Sequence, residues 1–118
     1  MTPKVFESEY RFLLILWREE PINSTTLAKI CKEELGWSRT TTYTVIKRLR
    51  DRGVVQSENA TVTTLVSKEA VQTAQMDELM EKTFEGSVPA FLAAFARRQS
   101  LSTEDIAQIQ RIIAKGEG

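Results

Sequence analysis

Hydroxyl, aromatic and basic side chains gather between Ser38 and Gly53, at spacings that place them together on a helix. One side of that helix is apolar, and its residues are Thr42, Val45, Ile46 and Leu49. The other side carries Thr40, Tyr43, Thr44 and Lys47, with Arg39 and Arg48 at its margins. Hydroxyl groups can hydrogen-bond to base edges, and lysine and arginine meet phosphates. The pattern therefore predicts a helix that fits the major groove of DNA.

Positive charge is concentrated on this stretch, although the chain as a whole has a net charge of zero. Residues 38–55 hold five cations and one anion, Asp51. Residues 1–67 are positive by two charges, and residues 68–118 are negative by two. Counterion release from DNA would turn such a local excess into affinity. The alternative interpretation is an ordinary solvated helix face.

The composition argues against catalysis. The chain contains no histidine, which is the most frequent general base and metal ligand. It also lacks a glycine-rich phosphate loop and clustered metal ligands. We therefore expect that the protein is not an enzyme and that it has no catalytic residues, no metal and no cofactor. The single cysteine, Cys31, excludes an intramolecular disulfide and is expected to pack as a small apolar residue; redox sensing is the alternative.

Nothing in the sequence predicts membrane insertion. The longest apolar run, Phe12–Trp17, is far shorter than the ~20 residues that a membrane span requires. Acidic residues, Glu7 and Glu9, stand where a secretory signal would be basic. A cytoplasmic protein is expected.

The elements before the basic helix are expected to support it. Residues 1–7 form a loose leader, and Ser8 caps a first helix over residues 9–18. Its inner stripe is Tyr10, Leu13, Leu14 and Trp17; Phe12 and Leu16 lie on the remaining face and are expected to contact a neighbouring element or a second subunit. Ile22 forms a very short strand. Asn23 or Ser24 then caps a second helix over residues 25–35, and Trp37 plugs the core between helices.

After Gly53 the apolar period changes from 3.6 to 2. Residues 54–57 and 61–66 are rich in β-branched side chains and are separated by the turn-forming residues 58–60. A helix, a short strand, two helices and a hairpin follow one another in the order of a winged helix-turn-helix. We therefore expect a mainly α fold with a β wing, and a DNA-binding domain over residues 1–67.

Residues 68–118 predict three further helices, over 68–84, 88–98 and from about 103 onward. Three short amphipathic helices enclose little core alone, so we expect a dimerisation domain in which two copies pack together. Its contact residues are predicted to be Leu79, Met80, Phe84, Phe91, Leu92, Phe95, Ile106, Ile109 and Ile113. The alternative is that these helices fold back on the winged helix of their own chain.

These segments resemble the penicillinase repressor family of bacterial transcription regulators along the whole chain. Residues 9–17 look like the first helix of the family, which ends in tryptophan. Residues 38–53 are similar to its recognition helix, with matching residues Thr41, Thr44, Val45, Arg48 and Leu49. Residues 83–87, 91–95 and 101–106 are similar to its dimerisation arm.

The resemblance implies a homodimeric repressor that places its third helix in the major groove of an inverted-repeat operator. Thr41 and Thr44 would approach base edges and Arg48 a phosphate. Arg39, Thr40, Tyr43 and Lys47 are assigned from the helical face alone. The wing, residues 56–60, contains no cation to grip the backbone. A winged helix that binds another protein, without a specific DNA site, is the alternative.

The resemblance also bears on how repression is released. Antibiotic-sensing relatives are cleaved at an Asn-Phe bond by a membrane-coupled sensor protease, and the matching bond here is Ala94–Phe95. Because the phenylalanine is retained and the asparagine is not, proteolytic release and a link to antibiotic resistance stay open. The copper-responsive relatives use paired cysteines near the C-terminus, which residues 114–118 lack.

Overall fold

The computed structural model of this chain describes residues 2–117, and of Glu117 only the backbone. It contains a compact unit that ends at Met76 and a second that begins at Asp77. The elements in chain order are α1 (Glu7–Glu19), β1 (Ile22–Asn23), α2 (Ser24–Leu35), α3 (Arg39–Asp51), β2 (Val55–Glu58), β3 (Thr61–Thr64), α4 (Lys68–Phe84), α5 (Val88–Arg98) and α6 (Thr103–Glu117). The predicted mainly α winged-helix fold is confirmed. None of the helices in the described part has the length and apolar content needed to span a bilayer.

The start of α1 differs from the prediction. Phe6, not Ser8, is the N-cap, and its N–H donates to Glu9 Oε1 at 3.0 Å. The expected loose leader is wrong for residues 2–7, because Val5 is buried in the core and Glu7 is already helical; Met1 lies outside the described residues. Sequence reasoning sought a hydroxyl cap and so overlooked the carboxylate that holds this end.

The buried face of α1 is also wider than predicted. Phe12 and Leu16 are fully buried, whereas Leu14 is 38% exposed. The reason is that α1 packs against α2 and also against β3, so that apolar side chains are needed over a broader arc than one stripe. Trp17, half-buried, donates from Nε1 to the Val66 carbonyl at 3.1 Å.

The two helices that precede α3 are held by local signals and by aromatic packing. Asn23 caps α2 by accepting from the Thr25 N–H at 2.9 Å, and Gly36 ends it with φ of 72°. A left-handed φ is one that glycine adopts without strain. Trp37 stacks on Phe12, with ring centroids 6.0 Å apart and planes at 6°, which confirms its place in the core.

The wing is a three-stranded antiparallel sheet in the order β1-β3-β2. Ile22 of β1 pairs with Val62, and Val55 of β2 pairs with Thr64. A two-residue turn joins β2 to β3, because Asn59 and Ala60 both have positive φ, of 52° and 63°. The predicted very short strand at Ile22 is thereby confirmed.

The predicted helices of the second half are found with the expected limits. Ser67 caps α4 through the Ala70 N–H at 3.0 Å. Within the second unit, Ser87 caps α5 through the Ala90 N–H at 3.1 Å. Ser102 accepts from the Asp105 N–H at 3.0 Å, and Asp105 accepts from the Ser102 N–H at 3.2 Å. This reciprocal pair is a capping box, which fixes the start of α6.

Candidate nucleic-acid interface

The third helix is oriented by its buried face. Thr42, Val45, Ile46 and Leu49 are all buried, as the spacing predicts. The helix packs on α2 and on β2, so its other side is turned away from the core. Ser38 is the N-cap and accepts from the Thr41 N–H at 3.1 Å, while Arg52 occupies the C-cap and Gly53 follows with φ of 77°.

The structure brings the predicted contact residues together on the free side of α3. All seven are exposed, including the ring of Tyr43, and they are Arg39, Thr40, Thr41, Tyr43, Thr44, Lys47 and Arg48. Lys47 and Arg48 form no ion pair with any residue in the range 2–117. The helix therefore offers two cations outside ion pairs beside its hydroxyl groups.

The hydroxyls of Thr41 and Thr44 already have local partners. Thr44 Oγ1 donates to the Thr40 carbonyl at 2.9 Å, and Thr41 Oγ1 lies 2.9 Å from Ser38 Oγ. A hydroxyl oxygen keeps acceptor capacity after it donates its proton. Thr44 thus presents an acceptor oxygen and a methyl group to the exterior of α3.

One of the five cations counted in the sequence is not available to a ligand. Arg52 forms an ion pair with the buried carboxylate of Glu9 and also donates to the Lys4 carbonyl at 2.8 Å. Burial alone would raise the pKa of Glu9, but hydrogen bonds from Arg52 and from the Phe6 N–H, with the positive charges of Arg52 and Arg48, lower it below its ordinary value of 4.5. No local pattern in the sequence indicates this pair, because its members are 43 residues apart.

A cleft that sequence reasoning missed lies between α2 and the start of α3. Its volume is about 430 Å³, and its lining residues are Thr25, Ala28, Lys29, Lys32, Ser38 and Arg39. The signal that could have found it is the spacing of Lys29 and Lys32, which places two lysines on one face of α2.

Cys31 is fully buried, as expected for a small core residue. Burial raises the pKa of its thiol, and the neighbouring Thr42 hydroxyl, which forms no well-aligned hydrogen bond within the described chain, opposes this only in part. Because the thiolate is the reactive form of cysteine, the environment disfavours redox sensing. No group of three or more potential metal ligands occurs in the described residues.

In the wing, the Glu58 carboxylate accepts a hydrogen bond from Gln56 Nε2 at 2.9 Å.

The predicted dimerisation residues divide into exposed and half-buried side chains. Five of the predicted dimerisation residues are large and exposed, namely Leu79, Leu92, Phe95, Ile106 and Ile113. The other four are half-buried within the fold of their own chain, namely Met80, Phe84, Phe91 and Ile109.

A three-helix domain with a three-stranded wing and an exposed basic third helix defines a winged helix-turn-helix protein. The comparison with protein families agrees. Residues 6–115 match the penicillinase repressor family, and the chain belongs to that family of transcription regulators. It is also 20% identical, over 118 residues, to the methicillin resistance regulatory protein MecI of Staphylococcus aureus, covering 97% of this chain and 96% of that protein.

Proposed function

We propose that the protein is a homodimeric, sequence-specific repressor that places α3 in the major groove at each half of an inverted-repeat operator. The observation that carries this proposal is the exposed face of α3. It combines hydroxyls, an aromatic ring and cations outside ion pairs opposite a buried, mainly apolar face. Membership of a repressor family supports the same assignment.

The chemistry of this face divides the work between residues. Thr41 and Thr44 are assigned to base edges, where a hydroxyl oxygen accepts from an amino group and a methyl contacts the methyl of thymine. Lys47 and Arg48 are assigned to phosphates. Arg39, Thr40 and Tyr43 flank them. Sequence preference should therefore depend on the threonines, and general affinity on the cations.

A gel-shift assay with DNA from upstream of the protein's own gene tests the assignment. Thr44→Ala should weaken specific binding about 10-fold or more while leaving binding to a scrambled duplex unchanged, since one good base contact contributes about 1–3 kcal/mol. Lys47→Glu should weaken both. Lys68→Glu, an exposed lysine at the start of α4, makes the same charge change away from α3 and is the control.

The assay also distinguishes the proposed repressor from the alternative, a winged helix that binds another protein. The acidic wing and the zero net charge are the features that favour a protein-binding module. A wild-type protein with no salt-dependent affinity for DNA would support that module. If the protein binds DNA but neither variant weakens binding, then the assignment of α3 as the reading helix is wrong.

The dimer is proposed from the apolar surface of the second unit. Leu92 and Phe95 of α5 are about two-fifths exposed, and Ile112 of α6 is 69% exposed. Packing two copies of these helices around a two-fold axis would remove this surface from water and give an isologous interface. A symmetric protein of this kind matches a symmetric operator.

Release by a membrane-coupled sensor protease is a separate proposal. The bond between Ala94 and Phe95 lies in the middle of α5, so a protease must unwind about one turn before it can cleave there. Expression with a cognate sensor and its inducer, followed by mass spectrometry of the fragments, tests it. Cleavage elsewhere, or none, would contradict the assignment of this bond.

A further inference from the structure

The cleft between α2 and the start of α3 has the composition of an anion site. Three of its six lining residues are cations, two carry hydroxyls and none is acidic. Lys29 and Lys32 lie one turn apart on α2, and Arg39 is the first residue of α3. No ion pair joins any of these three cations to another described residue. In the described part of the chain these side chains are therefore open to pairing with an external anion.

The backbone adds to the charge of the side chains. The cleft reaches Ser38, the N-cap of α3, where the first turn of the helix has N–H groups without intrahelical acceptors. Such groups favour an anion, and the helix dipole adds to them. Lysine side chains bind phosphate as mobile point charges, while arginine can bind it with two parallel hydrogen bonds.

We propose that this cleft binds a phosphate of the DNA backbone next to the groove that α3 enters. The inference rests on the proposed function and extends it to Lys29 and Lys32, which the recognition helix does not contain. Strands β2 and β3 and their turn contain no cation that could contact the DNA backbone. The cleft would supply the phosphate contact that this wing lacks. The grip on the backbone would thus lie on the α2 side of α3.

The test measures how DNA affinity depends on salt for the full-length protein. The double variant Lys29→Gln/Lys32→Gln is compared with Lys68→Gln/Lys115→Gln, which removes two exposed lysines from α4 and α6. Each protein is titrated against the upstream duplex and against a scrambled duplex. Circular dichroism and thermal melting verify that all the proteins are folded.

We expect the cleft variant to lose about one unit of the slope of log K against log salt, and about tenfold in affinity at 0.1 M salt. The loss should be equal for the two duplexes, so that the preference for the upstream sequence is kept. In addition, ethylation of one phosphate in each half-site should interfere with DNA binding by the wild type. The same modification should not affect binding by the cleft variant. The control variant should match the wild type in each of these measurements.

The outcomes separate this inference from the function on which it rests. If the wild type binds DNA but the cleft variant keeps its slope, then the cleft assignment is wrong and the proposed function stands. If the wild type shows no salt-dependent affinity, both are wrong. If the slope is unchanged and calorimetry shows that inorganic phosphate binds the wild type but not the cleft variant, then the cleft is a small-anion site and the DNA assignment is overturned.

Discussion

The two units of this protein differ most in what their apolar side chains contact. In the first, α1, α2, α3 and the wing enclose a core that contains fully buried Phe12, Leu16, Leu27 and Leu49. In the second, no side chain between residues 77 and 116 is buried, although the end of α4 and the helices α5 and α6 lie there. The helices of the second unit are stabilised instead by caps and by aromatic contacts. In one of these contacts the rings of Phe84 and Phe91 meet edge to face, with their centroids 5.5 Å apart.

This difference indicates that the two units gain their stability from different contacts. A unit with a closed core is stable by burial within one chain, whereas helices with exposed apolar faces gain stability when another surface covers them. The exposed faces of α5 and α6 therefore support the proposed dimer. The core of the first unit is already enclosed by its own elements.

The largest expected effect is in the core of the first unit. Phe12→Ala should lower the free energy of unfolding by about 3–5 kcal/mol, since it removes a fully buried aromatic ring and leaves a cavity. Urea denaturation followed by tryptophan fluorescence reports on this unit alone, because Trp17 and Trp37 are the two tryptophans of the chain. Ile112→Ala, at a residue that is 69% exposed, is the comparison and should hardly change this transition. An equal loss in both variants would contradict the contrast between the units.

The next largest effect is on assembly. Leu92→Asp should weaken the dimer by about 100-fold or more, since two copies of the side chain each lose about 1.5 kcal/mol of apolar burial. Ala93→Asp introduces the same charge one residue away, about 100° around α5, and should leave the dimer intact. Sedimentation equilibrium measures both. A monomeric wild type, or equal effects of the two variants, would refute the proposed interface.

A smaller effect is expected where the N-terminal segment meets the end of α3. Glu9→Gln should lower the free energy of unfolding at pH 7 by about 1–3 kcal/mol, because Arg52 loses its charged partner. The pKa of Glu9 is lowered in the folded protein, so its contribution is complete above the ordinary value of 4.5 and is lost as pH falls below it. The difference between variant and wild type should therefore shrink below pH 4.5. Glu33→Gln, on the exposed surface of α2, is the control, and a difference that persists at low pH would contradict this account.

Local signals explain what the sequence could predict. The cap at Ser38 and the spacing of Val45, Ile46 and Leu49 lie within α3 itself, so its limits and its buried face were both predicted correctly. The starting points of the helices that begin after Ser67, Ser87 and Ser102 were also predicted correctly, whereas their predicted inner faces remain largely exposed. Each of the correct predictions depends on residues that are neighbours along the chain.

Features that depend on distant contacts could not be predicted. The wide buried face of α1 follows from its packing on both α2 and β3, and β3 lies more than 40 residues further along. The pair of Glu9 and Arg52, and the cleft that joins Lys29 to Arg39, likewise arise from packing between elements. Helical periodicity assigns a side chain to a face but does not identify the partner of that face.

Binding of wild type and Leu92→Asp to DNA with one or two half-sites tests the central claim most directly. Footprinting of the upstream region first defines the repeat, and fluorescence anisotropy then measures affinity for the whole repeat and for one half. We predict that the wild type binds the whole repeat much more tightly, and that Leu92→Asp loses this advantage but binds the single half-site as before. Two results would contradict the account: Leu92→Asp still binds the whole repeat more tightly than one half-site, or it is folded but no longer binds the half-site. Either would mean that DNA recognition and dimerisation are not divided between the two units.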